Sequence, residues 1–165
     1  MNSENDPEVP AGVTLTAISS LIPGVAKAHR RLAGSLLQNV GLAAGQEFVL
    51  MLLWQESPQS QSDLTRQLMV EPPTTAKALA RLENLDLVTR ERSPADRRVV
   101  LVSLTDAGRA LERPVELVWD RLEESTTAAL TEEEVVTLRH LLAKVGASLA
   151  AATGRAPGPS GAADS

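Results

Sequence analysis

The chain of 165 residues contains no cysteine. That absence excludes disulfides, thiolate metal sites and thiol-based redox sensing, and it fits a reducing cytoplasm. Aromatic residues are almost missing too, at 2% (Phe48, Trp54 and Trp119). A core without them is built from Leu, Val and Ala, which favours helices over a sandwich or barrel. No hydrophobic run reaches the roughly 18 residues of a membrane span, and the start MNSENDPEVP lacks the basic and apolar regions of a signal peptide. The expectation is a cytoplasmic protein with no membrane partner. Net positive charge is lacking as well: 16 Lys and Arg stand against 21 Asp and Glu, a formal charge of -5. This argues against a general nucleic-acid coat, because affinity of that kind comes from many cations neutralising phosphates. A local basic footprint remains open. Catalytic constellations are also absent: there is no glycine-rich phosphate loop and no His-x-x-x-His spacing. We therefore expect no enzyme, no cofactor and no metal.

What is present is a globular composition, 43% hydrophobic, of a size that suits a single domain. Residues 1–12 and the tail TGRAPGPSGAADS (153–165) are small, polar and rich in Pro and Gly, so both are expected to be disordered. Between them the spacing predicts a mainly α fold over 13–150 with two strands joined by a loop. Ile18, Ile22, Val25, Leu32, Leu36 and Val40 form the stripe of a first helix over about 15–40. Pro23 either kinks that helix or opens its main part. Helices follow at 44–56, at 60–68 with Ser60 as N-cap and Asp63 in a capping box, and at 72–87 with Pro72 in its first turn. VTRER and RRVVLVSL flank a Ser-Pro-Ala-Asp turn as two strands. Thr105 caps a helix that Pro114 should bend, and Thr131-Glu132-Glu133-Glu134 opens a last helix. The long apolar stripes over 15–40 and 105–150 exceed what one small core can cover, which makes a symmetric homodimer the economical reading.

The central block carries the functional signal. Helix 60–68, the connection Met69-Val70-Glu71 and helix 72–87 have the lengths of a helix-turn-helix, whose second helix enters the major groove. With Ala76, Leu79, Ala80 and Leu82 inside, that helix would present Pro72, Pro73, Thr74, Thr75, Lys77 and Arg81 to double-stranded DNA. In the hairpin, Arg90, Arg92, Arg97 and Arg98 meet only Glu91 and Asp96, and an arginine-bearing tip suits a minor groove. Asp96 could hold the Arg98 guanidinium in one direction. Strand alternation would send Arg97 and Arg98 to opposite faces, so which of them enters the groove stays open.

The stretch Leu64–Leu111, with Asp96-Arg97-Arg98, then Val102-Ser103-Leu104-Thr105 and Ala107-Gly108, resembles the winged helix-turn-helix of the MarR family of transcriptional regulators. The resemblance implies a homodimer with intertwined terminal helices astride a palindromic operator. It implies a mainly α fold with a small two- to three-stranded β wing and long terminal dimerisation helices, a DNA-binding lobe at about 44–104, a recognition helix at 72–87 and a wing arginine at 98 or 97. It also implies a regulator, repressor before activator, that responds to a small, often aromatic or phenolic, anionic effector. Glu71-Pro72-Pro73 departs from the polar or basic start of the recognition helix in many relatives, which shifts base reading towards Thr74, Thr75 and Lys77.

For an effector pocket the sequence offers His29, Arg30 and Trp54. His29 lies on the apolar stripe beside Lys27, Arg30 and Arg31, where it is either an anion-pocket residue or a partly buried structural histidine. Trp54 and Trp119 suit core or pocket walls. The rival to DNA binding is a winged module that binds protein, for which the net charge and Pro72-Pro73 speak and against which the arginine-bearing hairpin stands.

Overall fold

The computed structural model describes residues 17–152. The expected disordered ends, and the start of the first helix at 15, lie outside the described residues. The elements run α1 (Ile18–Gln38), α2 (Gln46–Gln55), β1 (Gln59–Ser60), α3 (Gln61–Leu68), α4 (Pro72–Asn84), β2 (Val88–Arg92), β3 (Val100–Leu104), α5 (Asp106–Ala110), α6 (Glu112–Thr127) and α7 (Glu132–Ala152).

The caps form as the side-chain chemistry dictates. Ser60 Oγ accepts from the Asp63 N–H at 3.0 Å and donates to the Asp63 carboxylate at 2.6 Å. Thr131 and Glu134 close a reciprocal box, with bonds of 2.8 and 3.3 Å. α1 continues through Pro23 and does not begin there. Pro114 does not bend a continuous helix: the chain breaks at Leu111 between α5 and α6, and the proline falls in the first turn of α6, where a missing N–H costs least. α4 stops at Asn84, short of the expected 87. Asp86 turns left-handed at φ 57, and the Leu87 N–H returns to the Leu82 carbonyl at 3.0 Å.

The sheet is antiparallel in the order β1-β3-β2, with Val88 opposite Leu104, Arg92 opposite Val100 and Gln59 opposite Val102. β1 is too short to show any period in the sequence. Its Gln59 is tied on both sides: the amide donates to the Leu52 and Glu56 carbonyls, and its oxygen accepts from Gln67. One apolar cluster joins these elements, with Leu50, Leu53, Leu64, Leu79, Leu82, Val88, Val102 and Val115 at its centre. At roughly 1.5–3 kcal/mol for each fully buried Leu or Val, this cluster is the principal stabilising term of the lobe.

The Leu-Thr-x-Ala-Gly stretch has a steric cause. Thr105 Oγ1 accepts from the Gly108 N–H at 3.0 Å and donates to the Asp86 carbonyl at 2.6 Å, which presses α5 onto the root of β2. A Cβ on Gly108 would lie 2.1 Å from the Leu87 carbonyl oxygen. Only glycine permits that approach.

α1 packs along α6. Its N-terminal half leaves Ile18, Leu21, Ile22 and Val25 exposed, and α7 buries no residue while exposing Val136, Leu138, Leu141, Leu142 and Leu149. Against the expectation that no segment reaches the length and apolarity of a membrane span, Glu132–Ala152 does so, at a mean hydropathy of 1.3. Arg139, His140 and Lys144 interrupt its apolar runs, so that no single run in it is long although its average is apolar.

Candidate nucleic-acid interface

α3 and α4 are joined by Met69-Val70-Glu71, with Met69 in the left-handed region at φ 52. The turn fixes α4 with Leu79 and Leu82 inward. Thr75 stands four residues before Leu79, on the same stripe, and is only 1% exposed. The expectation that Thr75 faces outward is therefore wrong: position on the helix outweighs side-chain polarity, and its hydroxyl is buried without a hydrogen-bond partner among the described residues. Ala76 and Ala80, expected inside, are half-buried. The exposed face of α4 carries Thr74, Lys77, Arg81 and Asn84 at helical spacing, with Pro72 and Pro73 exposed at its start.

That start offers no free amide to a phosphate. Pro72 and Pro73 have no N–H, and the N–H groups of Thr74 and Thr75 both turn back to the Glu71 carbonyl, at 2.9 and 3.4 Å. Helix N-termini commonly hold anions through such donors. Here that donor set is missing.

Between β2 and β3 the wing loop is a built turn. Ser93 N–H donates to the Val99 carbonyl and Val99 N–H to the Asp96 carbonyl, both at 2.9 Å. The Asp96 carboxylate receives the Arg98 backbone N–H at 3.0 Å and, at 3.2 Å each, the guanidinium Nε and Nη2. These bonds, the guanidinium first, hold the Asp96 carboxyl below its usual pKa. The Arg98 side chain stays 91% exposed, so the brace aims the charge without hiding it. Arg97 and Arg98 lie in this turn and not in a strand, which removes the alternation argument; β3 begins at Val100. Arg97 is exposed, and its carbonyl accepts from Arg92 Nη1 at 2.8 Å.

Arg90 has another task. Its Nε and Nη2 reach Glu83 Oε2 at 3.0 and 2.6 Å, and this pairing lowers the Glu83 pKa. The pair links the C-terminal part of α4 to β2. Arg90 is thereby a strut between recognition helix and wing, with its charge already matched.

A cleft of about 640 Å³ runs between the wing and the helix-turn-helix, lined by Gln61, Ser62, Thr65, Arg66, Pro72 and Arg98 among others. Arg66 is exposed and paired with Asp63. Arg66 is absent from the residues expected at this face, although a cation on the outer face of the first helix of a helix-turn-helix marks it in the sequence.

The three pocket residues named from sequence are not brought together around one cavity. Trp54 lines a second cavity, of about 510 Å³, with Met51, Gln55, Glu112, Glu116, Trp119 and Asp120. His29 and Arg30 do not line it; His29 is half-buried on α1, and Arg30 Nε donates to the Ala26 carbonyl of its own helix. Trp54 Nε1 donates to the Gly108 carbonyl at 3.0 Å, which joins this cavity to the packing at the wing root. Trp119 meets Phe48 edge to face, with centroids 5.9 Å apart.

The chain matches the model of the MarR family over residues 42–100. It is 30% identical to the HTH-type transcriptional regulator MgrA of Staphylococcus aureus over 126 residues, which cover 76% of this chain and 84% of that protein. A mutant MarR from E. coli complexed with operator DNA is similar at a TM-score of 0.71 and 33% identity, covering 78% of this chain and 92% of that one. BpsR of Bordetella bronchiseptica, whose structure addresses regulation of DNA binding by 6-hydroxynicotinic acid, is similar at a TM-score of 0.72 and 27% identity, covering 81% and 95%. With a winged helix-turn-helix, an outward-aimed wing arginine and these relatives, the chain belongs to the MarR family of DNA-binding transcriptional regulators, which are not enzymes.

Proposed function

We propose that the protein is a cytoplasmic homodimeric repressor that binds a palindromic operator and releases it when a small molecule binds. The observation that carries the DNA-reading part is the exposed Arg98 guanidinium, held by both Asp96 carboxylate oxygens at the tip of the wing. In this reading Arg98 enters the minor groove and Arg97 and Arg92 stand near phosphates. Thr74, Lys77 and Arg81 face the major groove, with Pro72 and Pro73 against thymine methyls. Arg90 and Asp96 position these groups and Thr75 packs the helix. The bare apolar faces of α1 and α7 support the dimer, and half-site centres should lie about 10 base pairs apart. The operator complex of MarR and the acid-regulated BpsR support the operator and the effector by likeness.

The test is a titration of the full chain against labelled DNA flanking its own gene, at two salt concentrations. Saturable binding that weakens with salt is expected, and Arg98→Ala should weaken it by about tenfold or more. Lys77→Ala should lose affinity for the operator more than for unrelated DNA; an equal loss on both assigns Lys77 to phosphate. No binding at low salt overturns the reading in favour of a winged module that binds protein.

A further inference from the structure

The cavity between α2 and α6 has a definite chemistry. Its walls include the indoles of Trp54 and Trp119 and the thioether of Met51. Its charged lining residues are Glu112, Glu116 and Asp120, with no Lys, Arg or His among the lining residues. Glu116 is paired with Arg113 at 2.9 Å and Asp120 lies within reach of the same guanidinium's charge, while Glu112 makes no ion pair among the described residues. One cation thus stands against three carboxylates, and an anion in this cavity would meet net negative charge. An organic cation would meet two indoles and that net charge.

We propose that this cavity binds a hydrophobic organic cation, such as a bulky amine, quaternary ammonium or phosphonium, and that this class of molecule is the effector. The proposal rests on the effector-regulated reading above and reverses the charge that the acid-regulated relative suggests. About 510 Å³ lies in the range that takes a drug-sized body. The route to DNA is short. Trp54 is bonded to the Gly108 carbonyl, and Gly108 sits against Leu87, immediately before β2 of the wing. A ligand that displaces the Trp54 ring disturbs the contact that fixes the wing lobe on α5.

The chain carries a built-in reporter, because Trp54 and Trp119 are its two tryptophans and both line the cavity. Full-length protein is titrated with tetraphenylphosphonium and, separately, with tetraphenylborate, which has nearly the same shape and the opposite charge. A saturable change in tryptophan emission with the phosphonium, and none with the borate, is the expected result. Glu112→Gln with Asp120→Asn should weaken phosphonium binding by roughly 25-fold, from about fivefold for each of the two charges removed near 4 Å in a watery setting. The same variant should bind DNA as the parent does when no cation is present, which shows that it is folded. Equal response to both ions, a response to borate alone, no saturable response, or phosphonium binding that ignores both carboxylates would each overturn the cationic site. Fluorescence anisotropy of labelled operator DNA is read in parallel. Phosphonium binding with unchanged DNA affinity overturns the effector role and leaves the cation site standing. DNA release by 6-hydroxynicotinate instead of the phosphonium overturns the cationic effector and keeps regulation by a small molecule.

Discussion

The winged lobe and the terminal helices use their apolar residues in opposite ways. α2 has 10 residues and buries five of them, Gln46, Glu47, Val49, Leu50 and Leu53. α7 has 21 residues with a comparable supply of Leu, Val and Ala and buries none. Apolar surface contributes to stability only where it leaves water. The lobe is therefore held by its own contacts, whereas the outer faces of α1 and α7 contribute little until something covers them. Charge divides by sign: the lobe exposes Arg97 and Arg98 at the wing tip, whereas α7 opens on Glu132, Glu133 and Glu134. A lobe complete in itself and helices completed from outside suit a regulator whose reading heads must be rigid while their separation is set elsewhere.

Breaking the lobe should need only one atom group in the right place. Gly108→Val puts a branched side chain where a Cβ already meets the Leu87 carbonyl oxygen at 2.1 Å. The neighbour is backbone at the root of a strand and cannot rotate away. A loss of about 5 kcal/mol or more is expected in urea denaturation, enough to unfold most of the protein. A loss below about 1 kcal/mol would show that α5 is not pinned there. Breaking the helices should act on association instead. Leu142→Glu removes about 2 kcal/mol of apolar burial from each copy, hence roughly 4 kcal/mol per dimer, or about a thousandfold in dissociation constant. Sedimentation equilibrium should then find monomer at concentrations where the parent is a dimer. An unchanged mass would take α7 out of the interface.

The same contrast explains what could be read from the sequence. Elements whose causes are local were legible: Ser60, Thr105 and Thr131 announce their helices, and the Asp96 to Arg98 bond follows from residues two apart on a turn. The helices and the hairpin follow from periodicity and turn residues, and the winged architecture from the family resemblance that the Leu-Thr-x-Ala-Gly stretch carries. What failed depends on position relative to distant partners. Polarity alone puts Thr75 outside, whereas its spacing from Leu79 and Leu82 puts it on their stripe. The turn at Arg97-Arg98 was read as strand because Arg-Arg-Val-Val has no breaker; the Ser93 and Asp96 hydrogen bonds that curl it become visible only in three dimensions. Sequence types group His29 with Trp54, whereas the carboxylates that accompany Trp54 come from α6, some 60 residues along the chain. Their i, i+4, i+8 spacing at Glu112, Glu116 and Asp120 was present in the sequence and looked like an ordinary solvated face.

The wing brace permits a finer division. Asp96→Ala removes both the turn-forming bond to the Arg98 N–H and the link to its guanidinium, while Asp96→Asn can keep the first. Operator affinity should fall in the order parent, Asp96→Asn, Asp96→Ala, Arg98→Ala, with the Asn variant within about fivefold of the parent. Equal losses for the Asn and Ala variants would mean that the ionic link alone aims the arginine.

The smallest effect expected lies inside the lobe. Glu47 is 3% exposed on α2, and its carboxylate accepts from the Gly45 N–H at 2.6 Å. Burial raises its pKa above the ordinary 4.5, outweighing the backbone hydrogen bonds that lower it. The folded chain thus takes up this proton more readily than the unfolded one. Its contribution is most favourable below the unfolded value and declines as pH rises through the folded value. Glu47→Gln can still accept from Gly45 and carries no charge to desolvate. Relative to its difference from the parent near pH 4, the Gln variant should gain melting temperature as pH rises to neutral. If instead it melts progressively lower than the parent over that range, the ionised carboxylate is stabilising, and the lobe holds a charged group that its helices balance.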